Sequence, residues 1–163
     1  LAGMPILAHT LRSVRDAGLP ALLVTGAHAQ AVHFVAARFD AAVRTVHATD
    51  HALGMAESLK AGLGAAPTDW DAALVVLGDM PFVAPQTLVL LADALAAGAP
   101  AVVPMCGGRR GNPAGFARAL WPRLAALRGD SGARALLDSV GVRQVAVDDP
   151  GIHRDIDRPE DLP

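Results

Sequence analysis

The stretch that most constrains the fold is the apolar run at residues 72–77, AALVVL, which leads directly into Gly78-Asp79-Met80-Pro81. A run this short, without polar alternation, is typical of a strand covered on both faces in a parallel sheet. Gly78 permits a sharp turn, and Pro81 cannot continue the hydrogen-bond ladder. Asp79 is therefore expected just beyond the carboxyl end of a central strand, where open α/β sheets bind ligands. The pattern leaves two interpretations of Asp79, a ligand for a divalent cation or a residue that only caps the turn.

The rest of the chain is predicted to alternate short apolar strands with helices of about 10–13 residues, the pattern of βαβ units. We therefore predict an α/β fold with a doubly wound, mostly parallel sheet. The predicted strands are residues 21–25, 43–48, 72–77, 101–105, 112–117 and 142–147. The predicted helices are residues 5–17, 29–39, 55–65, 85–97, 119–127 and 131–140.

Composition argues against several classes of function. With 163 residues the chain is predicted to be one domain, and its net charge of −2 gives no electrostatic grip on nucleic acid or anionic membranes. No apolar stretch approaches the roughly 20 residues of a membrane span. The single cysteine, Cys106, cannot form an internal disulfide, which indicates a cytoplasmic protein. The six histidines lack metal-ligand spacing and are predicted to be structural or at the surface.

An acidic segment near the end of the sequence offers a second set of carboxylates. Residues 155–161, DIDRPED, contain four acidic side chains. Ile156 is expected to be an apolar anchor that leaves Asp155 and Asp157 on the opposite face. If that face meets Asp79, two carboxylates can hold one Mg²⁺, which binds one or two carboxylates together with phosphates and waters. The alternative is a solvated acidic tail.

Three glycine-containing loops are further candidates for binding. Residues 54–58, GMAES, open a helix whose N-terminus favours polar or anionic ligands, although an ordinary loop-to-helix junction explains the motif equally well. Arg109 and Arg110 precede Asn112-Pro113 in a loop or hairpin, and they fit either phosphate binding or a solvated loop. In residues 129–134, Asp130 or Ser131 is the natural N-cap of the next helix.

Six motifs in this order resemble the molybdenum cofactor nucleotidyltransferases, with the cytidylyltransferase branch as the nearest match. They are residues 3–7, 54–59, 77–81, 111–113, 129–134 and 155–162. The resemblance covers essentially the whole chain. It implies a Rossmann-like nucleotidyltransferase fold, with three α/β/α layers, and the transfer of CMP from CTP to a molybdopterin-type cofactor with release of pyrophosphate.

The resemblance also implies roles for individual residues. Mg²⁺ is the implied cofactor, with Asp79 as its main ligand and Asp157 as the second. The implied substrate ligands are Gly54 and Ser58, which lie against the nucleotide base, and Asn112, Pro113 and Asp130 on the acceptor side. CTP (or GTP) and the molybdenum cofactor are the implied partners, with transient contact to a molybdoenzyme.

Differences between this sequence and the family's pattern leave alternatives to this function. The amino-terminal strand and Gly-rich triphosphate loop of the family are missing, so we expect the native protein to carry them upstream, with the strand in the middle of the sheet. Met80 also occurs in the guanylyltransferase branch. The alternatives are guanylyl transfer to the same cofactor, another NTP transferase with a different acceptor, and a non-catalytic module that delivers the cofactor.

Overall fold

A computed structural model describes residues 1, 3–40, 43–129 and 132–162 of the chain. The helices are α1 (Ile6–Asp16), α2 (Ala29–Phe39), α3 (Met55–Ala65), α4 (Pro85–Ala96), α5 (Trp121–Ala125) and α6 (Arg134–Leu137). The strands are β1 (Leu22–Thr25), β2 (Arg44–His47), β3 (Ala72–Val75), β4 (Ala101–Cys106), β5 (Arg109–Arg110), β6 (Ala114–Ala117) and β7 (Val142–Ala146).

The strands form two sheets. β1 and β2 pair in parallel, and the second sheet runs β3-β6-β4, with β7 also paired to β4. β6 is antiparallel to both β3 and β4, so β3, β4 and β7 run in one direction. The short strand β5 folds back on the end of β4 through the glycines of a hairpin. The α/β fold is confirmed, and its larger sheet is mixed, because β6 and the short β5 run antiparallel to the parallel set β3, β4 and β7.

Side chains alternate between the two faces of the larger sheet, and helices cover both faces. Leu74 of β3 and Val102 of β4 pack on one side with Leu91 and Leu95 of α4. The next residues along those strands, including Val75 and Val103, pack on the other side with α3, α5 and α6. This period of two follows from the pleat of a strand, and it explains why the apolar runs show no polar alternation. The resulting arrangement has three layers.

Several predicted elements are shorter in the structure, and two of them flank the site. β3 ends at Val75 instead of Leu77, and its four residues are only partly buried. The helix predicted at residues 131–140 is limited to α6, and Ser131 lies outside the described residues. Among the described strands, β6 is the single partner of β3, so the other edge of β3 adds to its exposure. Within the described part of the chain, no helix combines the length and apolarity that a membrane span needs.

The structure does not test the predicted strand in the middle of the sheet. β1 and β3 each have one paired edge and one edge that no strand of the described residues occupies. Unpaired ladder groups cost free energy when they are buried without a partner. An upstream strand between these edges therefore stays a prediction.

Replacing Phe116 tests the assignment of the core. Phe116 is 0% exposed, in the centre of the cluster between the sheet and α5, whereas Phe34 on α2 is 62% exposed. Phe116→Ala is expected to lower the free energy of unfolding by about 3–5 kcal/mol, because it removes a ring and leaves a cavity. Phe34→Ala, the matched control, should change it by no more than about 0.5 kcal/mol. Urea denaturation measures both values, and equal losses would contradict this core.

Candidate active site

Asp79 lies in the turn that follows β3. The turn is closed by a hydrogen bond from the Met80 N–H to the Leu77 carbonyl (3.3 Å), and the Thr10 hydroxyl on α1 donates to the Gly78 carbonyl (3.1 Å). Met80 is buried beneath the turn. The buried Met80 and the bond to α1 hold the turn on both sides, so the backbone of Asp79 has a fixed position beyond the end of the strand.

The acidic segment crosses directly over this turn. The Ile156 N–H donates to the Asp79 carbonyl (2.9 Å), and the Ile156 side chain is only 7% exposed, while Asp155 and Asp157 are exposed. Asp157 is itself oriented, because the Asp161 carboxylate accepts the N–H groups of Asp157 and Arg158. The apolar anchor predicted at Ile156 is present, and it brings the two carboxylates beside Asp79.

The Asp79 carboxylate lacks a partner for its buried oxygen. Its Oδ1 atom is buried and accepts no hydrogen bond from the described residues. Burial raises the pKa of this carboxyl above its usual value, a backbone hydrogen bond at Asp79 itself opposes that rise, and the charges of Asp157 and Asp155 add to it. A buried carboxylate with an unsatisfied oxygen is unfavourable unless a cation or a donor meets it.

This set of oxygen donors fits a divalent cation that is completed by substrate. No group of three or more His, Cys, Asp or Glu within the described ranges is arranged to hold a metal ion alone. Mg²⁺ usually takes one or two carboxylates and fills its other positions with waters and phosphate oxygens. The orphaned oxygen of Asp79, together with Asp157, meets that requirement.

A cationic cavity of about 220 Å³ opens beside the turn. Three arginines and a histidine contribute to its wall, together with apolar, backbone and acidic groups: Met80, Arg109, Arg110, Gly111, Asn112, Arg134, Leu137, Ile152, His153 and Asp155. Arg110 is partly engaged by Asp138 at 3.5 Å. Typical pockets for drug-sized ligands are about 300–1,000 Å³, so this volume suits one anionic end of a ligand, such as a phosphate group.

The loop carrying Asn112 is fastened to the segment that leads to Asp155. The Asn112 N–H donates to the Ile152 carbonyl (3.0 Å), and a Cβ atom at Gly111 would lie 2.5 Å from that same carbonyl oxygen. The Asn112-Pro113 peptide bond is cis, and Pro113 is fully buried. The loop backbone therefore approaches Ile152 closely and sets the wall of the cavity.

Gly54 is placed by a different set of contacts. Its φ of 123° and ψ of 172° belong to a region that only glycine adopts readily, and a Cβ atom there would overlap the backbone of Gly129. The Ala56 N–H, in the first turn of α3, donates to the Gly129 carbonyl (3.0 Å). That amide is therefore used inside the protein. Gly54 connects α3 to the loop before Arg134.

The structure brings some of the predicted site residues close together and leaves others apart. Asp79 and Asp157 converge, and Asn112 lines the cavity beside the Asp79 turn, whereas Pro113 is fully buried and does not line it. Ser58 lies partly buried on α3 and takes no part in these bonds, and Asp130 falls outside the described residues. Arg134 and His153 also line the cavity and were not predicted from the sequence. Their basic side chains were the available signal, but no local pattern placed them together.

The comparisons with known proteins agree with this fold. A model of the MobA-like NTP transferase domain matches residues 1–147. The structure of Rv0371c from Mycobacterium tuberculosis H37Rv in complex with manganese is 31% identical, with a TM-score of 0.82, covering 96% of this chain and 82% of that chain. Molybdopterin-guanine dinucleotide biosynthesis protein A from Archaeoglobus fulgidus is 21% identical, with a TM-score of 0.63 and coverage of 94% and 81%, a likeness of fold.

A curated relative extends the comparison to sequence. The bifunctional protein GlmU of Chelativorans sp. (strain BNC1) is 32% identical over 131 residues, which are 78% of this chain and 28% of that protein. The chain thus spans little more than a quarter of that relative. Fold and likeness together place the chain in the class of NTP transferase domains. More particularly, the chain belongs to the family of MobA-like NTP transferase domains, which confirms the resemblance seen in the sequence.

The raised pKa of Asp79 predicts how its replacement changes stability with pH. Without divalent cations, the native protein should lose stability as pH rises from the usual carboxyl pKa through the raised one, because the folded state holds the proton more tightly. Asp79→Asn removes this loss, so its stability relative to the native protein should increase across that range and then level off. Denaturation at a series of pH values in the presence of a chelator measures the difference.

The exposed Asp69 provides the matched control, since it lies in a turn before β3 and away from Asp155 and Asp157. Asp69→Asn should follow the native protein at each pH. If Asp79→Asn is less stable than the native protein at neutral pH without metal, the assignment of an unfavourably buried carboxylate is wrong.

Proposed function

We propose that this protein transfers CMP from CTP to the phosphate of a molybdopterin-type molybdenum cofactor, with Mg²⁺ as the metal. The observation that supports the proposal most is the orphaned oxygen of Asp79, which lies beside Asp155 and Asp157 and next to a cationic cavity. The membership of the family supports nucleotidyl transfer. The cytoplasm is the proposed location, because the single cysteine cannot form an internal disulfide.

The proposed reaction is an in-line displacement. A phosphate oxygen of the acceptor forms a bond to the α-phosphorus of CTP, the bond from that phosphorus to its bridging oxygen breaks, and pyrophosphate leaves with the electron pair. Such reactions need positioning and neutralisation of charge more than a general acid and base. The Asp79 and Asp157 carboxylates would hold Mg²⁺, which when bound neutralises phosphate charge at the reacting centre.

The cavity is proposed to bind the phosphate end of the acceptor. Arg109 and Arg134 line it from β5 and from α6, and Arg guanidinium groups match phosphate oxygens in geometry and charge. Asn112 lines the same cavity, and Pro113 and Asp130 are proposed for the acceptor side, as the resemblance implies. This arrangement is proposed to orient the acceptor oxygen toward the metal held by Asp79 and Asp157.

The nucleotide base is proposed to lie against Gly54 and Ser58 at the start of α3. The Cβ side of Gly54 is filled by the Gly129 backbone, so the base is proposed to approach the start of α3 from another side. The motif resembles the cytidylyl branch, whereas Met80 also occurs in the guanylyl branch. Guanylyl transfer to the same cofactor is therefore the second candidate function. A transient contact with a molybdoenzyme that receives the product belongs to the same proposal.

Removing a carboxylate tests the proposed transfer. A unit charge at about 4 Å, with an effective dielectric near 20, interacts by roughly 4 kcal/mol before desolvation. Asp79→Asn and Asp157→Asn should each lower the rate of pyrophosphate release from CTP and cofactor at least about 100-fold. The control is Glu160→Gln, an exposed residue of the same segment whose ion pair with Arg158 is long, at 4.0 Å. Rates of both Asp variants within a factor of about two of the native rate would contradict the mechanism.

Differential ligand binding tests the choice of base. CTP is expected to raise the melting temperature of the native protein more than GTP at the same concentration, because binding to the folded state alone adds RT ln(1 + [L]/Kd). Differential scanning fluorimetry with Mg²⁺ and each nucleotide measures the shift. ATP provides the control for a contribution from the triphosphate alone. A larger shift with GTP would move the assignment to guanylyl transfer.

A further inference from the structure

A buried carboxylate outside the site just described joins two segments that meet at Asp79. Asp149 is 6% exposed, and its carboxylate accepts three hydrogen bonds. Its Oδ2 atom accepts from the Ala84 N–H (2.9 Å) and from the Thr87 hydroxyl (2.7 Å), and its Oδ1 atom accepts from the Gly151 N–H (2.9 Å). The side chain therefore binds the N-terminus of α4 on one side and its own turn on the other.

Asp149 supplies a hydrogen-bond acceptor at the N-terminus of α4, where the helix has no capping side chain of its own. Ala84, at the N-cap position, has no side chain that can accept from the first turn, and Pro85 follows it. The carboxylate of Asp149 accepts from this end of the helix instead, where negative charge is favourable. Because α4 follows the Asp79 turn closely in sequence, this bond fixes the acidic segment relative to that turn.

The chain between Asp149 and Ile156 is held against the Asp79 turn along its length. A Cβ atom at Gly151 would overlap the carbonyl of Phe82, so the two backbones are in direct contact. The Arg154 guanidinium lies 4.0 Å above the centre of the Phe82 ring. The bond from the Ile156 N–H to the Asp79 carbonyl closes the far end. Asp149 anchors the near end of this strap, defined as residues 149–156.

We propose that Asp149 is a positioning residue of the transfer site, which holds the strap so that Asp155 and Asp157 face Asp79. The inference rests on the proposed function for the role of those carboxylates. Asp149 itself contacts neither the cavity nor the orphaned oxygen. A buried carboxylate with three donors is costly to desolvate, and its bonds are all directed to the two segments that carry the site. Partners that orient metal ligands change metal affinity by about 10–100-fold when they are replaced.

The test measures Mn²⁺ binding and hydrogen exchange in the purified protein. Asp149→Asn is expected to weaken Mn²⁺ binding, followed by electron paramagnetic resonance, about tenfold or more at a temperature where the variant remains folded. The Ile156 amide should exchange faster in the metal-free variant, while amides of β4 keep their protection. Transfer assays should show a raised apparent KM for the metal, with a smaller change in kcat at saturating metal.

Two further variants keep the test decisive if Asp149→Asn does not fold. Thr87→Val removes one bond to the Asp149 carboxylate with little change in volume, and Thr87→Ser restores the hydroxyl. We expect weaker Mn²⁺ binding for Thr87→Val and recovery for Thr87→Ser. Phe116→Ala, which destabilises the core at a distance from the strap, controls for loss of stability alone and should bind Mn²⁺ as the native protein does.

The outcomes separate this inference from the proposed function. If the native protein binds Mn²⁺ and Asp79→Asn does not, the metal site stands. Native affinity and native Ile156 exchange in both Asp149→Asn and Thr87→Val would then overturn the positioning role. Equal weakening in Phe116→Ala would also overturn it, since stability alone would explain the effect. If the native protein does not bind Mn²⁺, the proposed metal site fails and the inference fails with it.

Discussion

The site depends on one backbone hydrogen bond, from the Ile156 N–H to the Asp79 carbonyl. This bond joins a turn in the middle of the chain to a segment near its end. Because it uses main-chain atoms, the carboxylates of Asp79 and Asp157 are not needed to hold the two segments together. The burial of Ile156 supplies the packing that such a bond needs, because an exposed backbone bond contributes little against competing water. Under the proposed function, side chains would carry the chemistry while backbone hydrogen bonds fix the geometry.

The same arrangement leaves the Asp79 carboxylate in an energetically unfavourable environment. Among the described residues, one oxygen of Asp79 is buried without a hydrogen-bond partner, and the carboxylates of Asp155 and Asp157 lie near it. Elsewhere in the protein a buried carboxylate is treated differently, since Asp149 has three donors. The carboxylate of Asp149 is used to join two segments of the fold, whereas the carboxylate of Asp79 can still accept a ligand. Proteins tolerate such local conflict mainly where function requires it.

Local pattern predicted much of this structure. The apolar run placed Asp79 after a strand, and the alternation around Ile156 predicted which side chains of the acidic segment are exposed. The length of β3 and the cavity residues Arg134 and His153 were not predictable in this way. Strand length depends on which neighbour pairs with it, and the cavity depends on elements that meet only after folding. Both are properties of long-range packing, on which periodicity carries no information.

The contact between Gly54 and Gly129 links the start of α3 to the loop before α6. Under the proposed function these two segments serve different substrates, the nucleotide and the acceptor. Two backbones in direct contact leave no side chain that can absorb a change in either one. A loop exchanged from a relative with another acceptor would thus have to arrive together with the matching helix start. Under the proposed function, a change of nucleotide and a change of acceptor would therefore have to be engineered together.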